Sequence, residues 1–126
     1  MTGNNTSSTH PQLPPTTEED TVNRLRLLRS RRVGVATYYR LIAEHGTAAD
    51  ALRALPLIAQ AAGVSDYTVC PEGVALAELK AGKAAGARLL IAGTPDYPAS
   101  LAQVDDAPPM LWVMGKVSLL QRPIIA

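Results

Sequence analysis

The chain has 126 residues and a net charge of +1, which leaves room for one ordinary domain, or for a small domain and part of a second. One Trp, four Tyr and no Phe make aromatic residues scarce, so Ala and Leu must fill most of the core, as suits closely packed helices. The near-neutral charge favours no class of charged partner and excludes a strongly basic or acidic protein.

Cysteine usage and hydropathy bear on location. Cys70 is the single cysteine, which excludes an intramolecular disulfide and fits a reducing compartment. The N-terminus has neither the basic nor the apolar region of a signal peptide. No apolar run approaches the roughly 18 residues of a membrane span. We therefore expect a soluble, cytoplasmic protein without membrane contact.

The first part of the chain predicts a tail and two helices. Residues 1–15 are mostly Asn, Ser, Thr and Pro, which predicts a disordered tail. Order is expected from Thr16, which has the capping-box spacing with Glu19. The first helix should run to about Ser30, and its apolar face is Val22, Leu25 and Leu28. A second helix is expected over about 36–45, with the face Tyr38, Leu41, Ile42 and His45, closed by Gly46.

Three further helices follow in the prediction. Thr47 caps the third, with Asp50 three residues on, and this helix should end near Leu55. Pro56 suits the first turn of a short fourth helix, which Gly63 ends. The fifth opens at Pro71 and Glu72 and runs to about Gly86, carrying Val74, Leu76 and Leu79.

The pattern then changes to short apolar runs that predict strands. These are "ARLLIAG", "MLWVMG" and "RPIIA", with turn-forming "GTPDYP" after the first and a short helix over about 99–104. The chain therefore divides into a disordered tail over 1–15, a helical module over 16–86 and the opening of an α/β layer over 87–126.

Arginine is concentrated at one place in the helical module. Six of the twelve basic residues lie between positions 24 and 40, and no acid lies between Val22 and Ala43. The turn "SRRVGV" could present backbone N–H groups to a phosphate, with arginines beside it adding salt-dependent attraction to nucleic acid. The candidate DNA-binding residues are Arg29, Arg31, Arg32 and Gly34. Alternatively, the arginines form a solvated helix face favoured by the helix dipole.

No other residue pattern predicts chemistry. His45 lies on an apolar face, where packing or capping is expected, and Cys70 has no neighbouring His. Asp105 and Asp106 precede "APP" and predict a turn. Metal-ligand spacing and glycine-rich phosphate loops are absent from the sequence, so we expect no catalytic residues, no metal and no cofactor.

The end of the chain carries a family resemblance. The segment "DYPASLAQVDDAPPMLWVMGKVSLLQRPIIA" resembles the DNA-processing protein A family (DprA, or Smf), and "RRVGVATYYRLIAEHGTAADALRALP" is similar to the helical N-terminal domain of that family. The positions that match the family pattern near the end are Asp96, Tyr97, Pro98, Leu101, Asp106, Pro108, Pro109, Leu111, Gly115, Leu120, Arg122, Pro123 and Ala126.

The resemblance implies a fold and a function. The fold is a helical module similar to sterile-alpha-motif and helix–hairpin–helix domains, followed by the truncated start of an extended Rossmann domain of α/β class. The implied protein binds single-stranded DNA, hands it to a RecA-type recombinase in natural transformation, forms a homodimer when complete, and is not an enzyme. In the family, the main DNA pocket and dimer surfaces lie beyond the segment matched here.

Two other classes of function remain open from the residues. The chain could be a free-standing helical module that binds protein or DNA. It could also be a truncated nucleotide-processing enzyme with an extended Rossmann domain, although it lacks a phosphate loop.

Overall fold

Four helices precede a pair of short strands in the computed structural model, which describes residues 17–114. The helices are α1 (Glu18–Arg29), α2 (Val35–His45), α3 (Ala48–Ala61) and α4 (Glu72–Ala84). Strand β1 (Ala87–Ile91), short helix α5 (Ala99–Ala102) and strand β2 (Met110–Met114) follow. The predicted tail and the predicted strand "RPIIA" lie outside the described residues.

Helix α1 begins one residue later than the sequence suggests. Its N-cap is Thr17, whose hydroxyl accepts a hydrogen bond from the backbone N–H of Asp20 at 3.0 Å. The predicted capping box of Thr16 and Glu19 is therefore wrong by one position. Either threonine could supply the same oxygen, and three successive acids at 18–20 suit the positive end of the helix dipole in both registers.

The predicted break at Pro56 is also wrong, because α3 continues through it. A proline inside a helix removes one hydrogen bond and costs about 3 kcal/mol. Packing on both sides of the proline offsets this cost, since Leu55 and Ala59 belong to the same buried face. The helix ends where predicted, with Gly63 at a φ of 85°.

The first three helices enclose one core. It consists of Leu27 from α1, Tyr38 and Leu41 from α2, and Ala51, Leu52 and Leu55 from α3. The predicted apolar face of α2 is therefore confirmed, with Ile42 packed at its edge. In α1 the buried leucines are Leu25 and Leu27, whereas Leu28 is only half-buried.

Helix α4 has the predicted extent but a different buried face. Val74 and Leu76 are 54% and 42% exposed, so they do not form the core face that the sequence suggested. The buried residue is Ala75, and Leu79 packs beside it. Ala75 contacts the cluster formed by Val22 and Leu25 of α1 and Ile91 of β1.

The two strands pair antiparallel, with Ala87 opposite Met114 and Ile91 opposite Met110. Their side chains alternate between two packed faces. Ile91 and Met110 join Val22, Leu25 and Ala75 in a second core shared with α1 and α4. On the opposite face, Leu90 packs with Tyr97 beneath the connection that contains α5. The helices and strands are therefore joined by common apolar side chains.

Within residues 17–114, no helix is both long and apolar enough to cross a membrane.

Candidate nucleic-acid interface

A tight turn joins α1 to α2 and places two arginines side by side. The N–H of Val33 donates to the carbonyl of Ser30 at 3.1 Å, so Arg31 and Arg32 form the middle of the turn. Arg32 has a φ of 69°, a left-handed conformation that is uncommon for residues other than glycine and costs about 1–2 kcal/mol. The turn therefore holds an arginine in a backbone conformation that favours glycine.

The fold supplies acids to three arginines of the predicted patch. Arg24 bonds Asp20 one helical turn away at 2.7 Å, and Arg40 lies 3.9 Å from Glu44 in an exposed pair. Arg29 makes two hydrogen bonds to Glu78 of α4, at 2.8 and 3.0 Å. The sequence has no acid between Val22 and Ala43, but the fold brings acids from outside this segment to these three arginines.

The Arg29–Glu78 pair is part of the packing between α1, α4 and β2. The indole N–H of Trp112 donates to the same Glu78 carboxylate at 2.9 Å. The hydrogen bonds from Arg29 lower the pKa of Glu78, and those to Glu78 raise the pKa of Arg29. Arg29 was one of the predicted DNA contacts, and its guanidinium is largely engaged by this carboxylate.

Arg26 holds the loop between α3 and α4 against the end of α1. Its Nε donates to the carbonyl of Cys70 at 2.9 Å. The hydroxyl of buried Ser30 donates to the Arg26 carbonyl at 2.7 Å and accepts from the Cys70 N–H at 3.0 Å. Both backbone groups of Cys70 are thus satisfied by the segment that leads into the arginine turn.

The same loop contacts Arg31 through Tyr67. The Tyr67 hydroxyl donates to the Arg31 carbonyl at 2.5 Å. The guanidinium carbon of Arg31 lies 5.2 Å from the centre of the Tyr67 ring, within the range of a cation–π contact. Arg31 itself is exposed. Loop and turn therefore fix each other, and the charged group remains at the surface.

Arg32 and the start of α2 complete the candidate interface. Arg32 is exposed and has no ion pair or side-chain hydrogen bond to any residue in the described range 17–114. Gly34 is the N-cap of α2 and provides no side-chain cap, and the first turn of α2 contains no acid. Free N–H groups at a helix N-terminus attract anions such as phosphate. Arg31, Arg32 and Gly34 are therefore exposed within one short segment, and Arg29 before it is held in an ion pair.

The aromatic residue beside this turn was not predicted. Of the two tyrosines that follow the turn in sequence, Tyr38 is buried, which raises its pKa to about 12. The Tyr39 hydroxyl donates to the carbonyl of Ala107 at 3.0 Å, which ties the half-buried ring to the strand connection. Tyr67 lies 36 positions after Arg31. No local pattern links two residues so far apart, so only the fold reveals the pair.

The other residues considered from the sequence, which are one Cys, one His and two Asp, lie in surroundings that explain them structurally. Cys70 is buried, as predicted, and burial raises the pKa of its thiol. Asp105 and Asp106 are exposed in a turn. His45 ends α2, and its Nε2 is buried without a hydrogen-bond partner among the described residues. In the described part of the chain, no three His, Cys, Asp or Glu side chains form a group that could hold a metal ion.

The family pattern near the end of the chain also has a structural explanation. Asp96 accepts a hydrogen bond from Arg88 at 2.9 Å, and the hydroxyl of buried Tyr97 donates to the Pro108 carbonyl at 2.7 Å. Pro109 is fully buried. The matching positions from Gly115 onward lie outside the described residues.

Comparison with known families identifies the helical module. The family described as "DprA-like N-terminal HHH domain" matches residues 18–81, from the first residue of α1 into α4. The chain therefore belongs to this family, and the resemblance found in its sequence is confirmed. A comparison with curated proteins gave no significant match. The four-helix module and the family together define a DprA-like DNA-processing protein.

Proposed function

We propose that this chain binds single-stranded DNA within a DprA-like protein that hands the strand to a RecA-type recombinase in natural transformation. Family membership supports an interaction with DNA in general. The observation that carries the proposal to particular residues is the turn before α2, in which the adjacent Arg31 and Arg32 are both exposed and Gly34 gives the helix no side-chain cap.

The proposed contact is electrostatic and involves no bond cleavage. Arginines and free backbone N–H groups neutralise phosphates, and the release of counterions makes such binding depend on salt. Domains of this family bind DNA rather than catalyse a reaction. Arg29 contributes to the local potential, although its guanidinium pairs with Glu78.

The strands have a place in the same proposal. We infer that residues 87–114 open the extended Rossmann domain that the family resemblance implies, and that the complete protein forms a homodimer. Both inferences rest on the family resemblance; the β1–β2 pair is antiparallel, and it packs on the helices through one face and on the connection that contains α5 through the other.

A salt series tests the DNA contact. Binding of the chain to a labelled single strand is measured by fluorescence anisotropy for the wild type and for the Arg31→Ala/Arg32→Ala double variant. We expect a wild-type Kd within roughly 10⁻⁴–10⁻⁶ M, the range of non-specific contacts. Because each phosphate contact on a single strand contributes about −0.7 to the log–log salt slope, the double variant should flatten that slope by up to roughly 1.4.

A matched control removes two charges elsewhere. Lys83 and Arg88 line a shallow cavity with Glu18 and Thr21 at the start of α1, whereas the arginine turn follows the end of that helix. A helix of 12 residues is about 18 Å long, so the two places are well separated. The Lys83→Ala/Arg88→Ala variant should keep the wild-type slope. Equal slopes for the wild type and the turn variant would show that DNA does not contact this turn.

A further inference from the structure

The side chain of Arg31 is supported from one side by an aromatic ring. Its guanidinium carbon lies 5.2 Å from the centre of the Tyr67 ring, and the Tyr67 hydroxyl is bonded to the Arg31 carbonyl at 2.5 Å. The ring is itself half-buried and packs against the core of α1, α2 and α3. Arg31 is therefore held on a fixed base, unlike an arginine that extends freely into water.

A guanidinium held in this way can offer a flat surface to a ligand. The group is planar and weakly hydrated, and it stacks on π-systems through its face. The Arg31 guanidinium carbon lies over the Tyr67 ring, and the residue as a whole is exposed, so the group is accessible to a ligand from solvent. Unpaired bases stack on aromatic rings and on arginine planes, whereas bases within a duplex are already stacked on each other.

The neighbouring residue differs in its surroundings. Arg32 has no aromatic ring against it and no ion-pair partner within residues 17–114, and its positive φ turns the backbone sharply between the two side chains. It is free to point its N–H groups at a phosphate. The two arginines of the turn are therefore suited to different parts of a nucleotide.

We propose that Arg31, supported by Tyr67, stacks on an unpaired base while Arg32 binds the adjacent phosphate, so that the turn selects single-stranded over duplex DNA. This inference rests on the proposed function, because it assigns the parts of the same interface. Tyr67 is a positioning residue here, acting through Arg31. The proposal predicts that Arg32, and not Arg31, accounts for most of the salt dependence that the turn contributes.

The test compares a conservative change at Arg31 with changes at Tyr67. A single strand containing 2-aminopurine, and the same strand annealed to its complement, are each titrated with the full chain, and both anisotropy and base fluorescence are recorded. Stacking of a base on an aromatic side chain contributes about 1–3 kcal/mol, a factor of about 5–150 in affinity, and we expect stacking on the guanidinium to lie at the lower end of this range. Arg31→Lys keeps the charge but loses the flat face. It should weaken single-strand binding about fivefold or more and abolish the change in 2-aminopurine fluorescence that accompanies binding. The salt slope should stay unchanged.

The Tyr67 variants separate support of Arg31 from overall folding. Tyr67→Phe keeps the ring and should retain the change in 2-aminopurine fluorescence on binding. Tyr67→Leu removes the ring and should lose that change. Circular dichroism and the thermal transition establish that each variant is folded. Arg32→Ala should flatten the salt slope by about 0.7 and keep the fluorescence signal of the bound complex.

The outcomes distinguish this inference from the function on which it rests. Salt-dependent binding with equal affinity for single-stranded and duplex DNA, unaffected by Arg31→Lys, would overturn the stacking role and leave the proposed function in place. Wild-type binding that does not depend on the arginine turn would overturn both. Loss of single-strand preference in Arg31→Lys with an unchanged slope would establish the stacking role.

Discussion

At the scale of single residues, Gly82 is notable because a side chain added at this position would clash with Trp112. An added Cβ would lie 2.8 Å from Cε3 of Trp112 and closer still to Cζ3 and Cη2. The Trp112 ring cannot move aside without cost, because its N–H is bonded to Glu78 at 2.9 Å. A glycine inside helix α4 is thus explained by the ring that lies on it.

Replacing Gly82 with alanine should destabilise the protein, contrary to the usual effect within a helix. Alanine is favoured over glycine in helix interiors by about 1 kcal/mol, but overpacking costs about 1–3 kcal/mol and here also displaces a hydrogen-bonded ring. We expect Gly82→Ala to lower the free energy of unfolding by about 1–2 kcal/mol in urea titrations.

Gly73 provides the matched control in the same helix. Nothing lies within 4 Å of a Cβ added at Gly73, so Gly73→Ala should leave stability unchanged or raise it by up to about 1 kcal/mol. A stabilised Gly82→Ala variant would mean that Trp112 does not pack on α4 as described.

At the scale of elements, the loop between α3 and α4 is attached to the end of α1 by polar groups. Ser30 is central to this attachment, because its hydroxyl satisfies the N–H of Cys70 and the carbonyl of Arg26. Loops generally open at a lower free-energy cost than packed helices. Removal of one buried hydrogen-bond partner should therefore loosen this loop before the rest of the fold.

Ser30→Ala should make Cys70 more reactive. A buried N–H without a partner costs about 1–3 kcal/mol, and opening of the loop would expose a thiol that burial now keeps protonated and covered. We expect slow modification of Cys70 by a thiol reagent in the wild type, and modification several-fold faster in Ser30→Ala. Ser65→Ala, an exposed change in the same loop, should match the wild type.

The elements also show what a sequence can predict. Caps at Thr47 and glycines after α2 and α3 act through neighbours within a few residues, so their positions were predicted correctly. Pro56 was misread because the packing that keeps α3 continuous comes from other helices. The Arg31–Tyr67 contact and the Arg29–Glu78 pair join positions 36 and 49 residues apart, beyond any local signal.

At the scale of the whole molecule, one carboxylate connects three elements. Glu78 of α4 accepts from Arg29 of α1 and from Trp112 of β2. The hydrogen bonds from Arg29 are the main reason that the pKa of Glu78 lies below its ordinary value. A carboxylate with a lowered pKa stabilises the fold above its unfolded pKa, and this contribution is lost as the pH falls through the folded pKa.

Glu78→Gln should therefore flatten the acid side of the stability profile. The wild type should lose stability as the pH falls from about 5 through the lowered pKa of Glu78, and the variant should be less stable near neutral pH but depend less on pH in that range. Urea unfolding at several pH values measures both effects. Glu44→Gln removes only an exposed pair of the kind that contributes little, and its profile should resemble that of the wild type.

The contact between Trp112 and α4 gives the protein a built-in optical reporter. Trp112 is the only tryptophan in the sequence, and it lies on β2 with its ring against Gly82 and its N–H on Glu78. The wavelength and the quenching of its fluorescence therefore depend on whether the strand pair is packed against the helices. Separation of these two parts would shift the emission toward that of indole in water, without any attached dye.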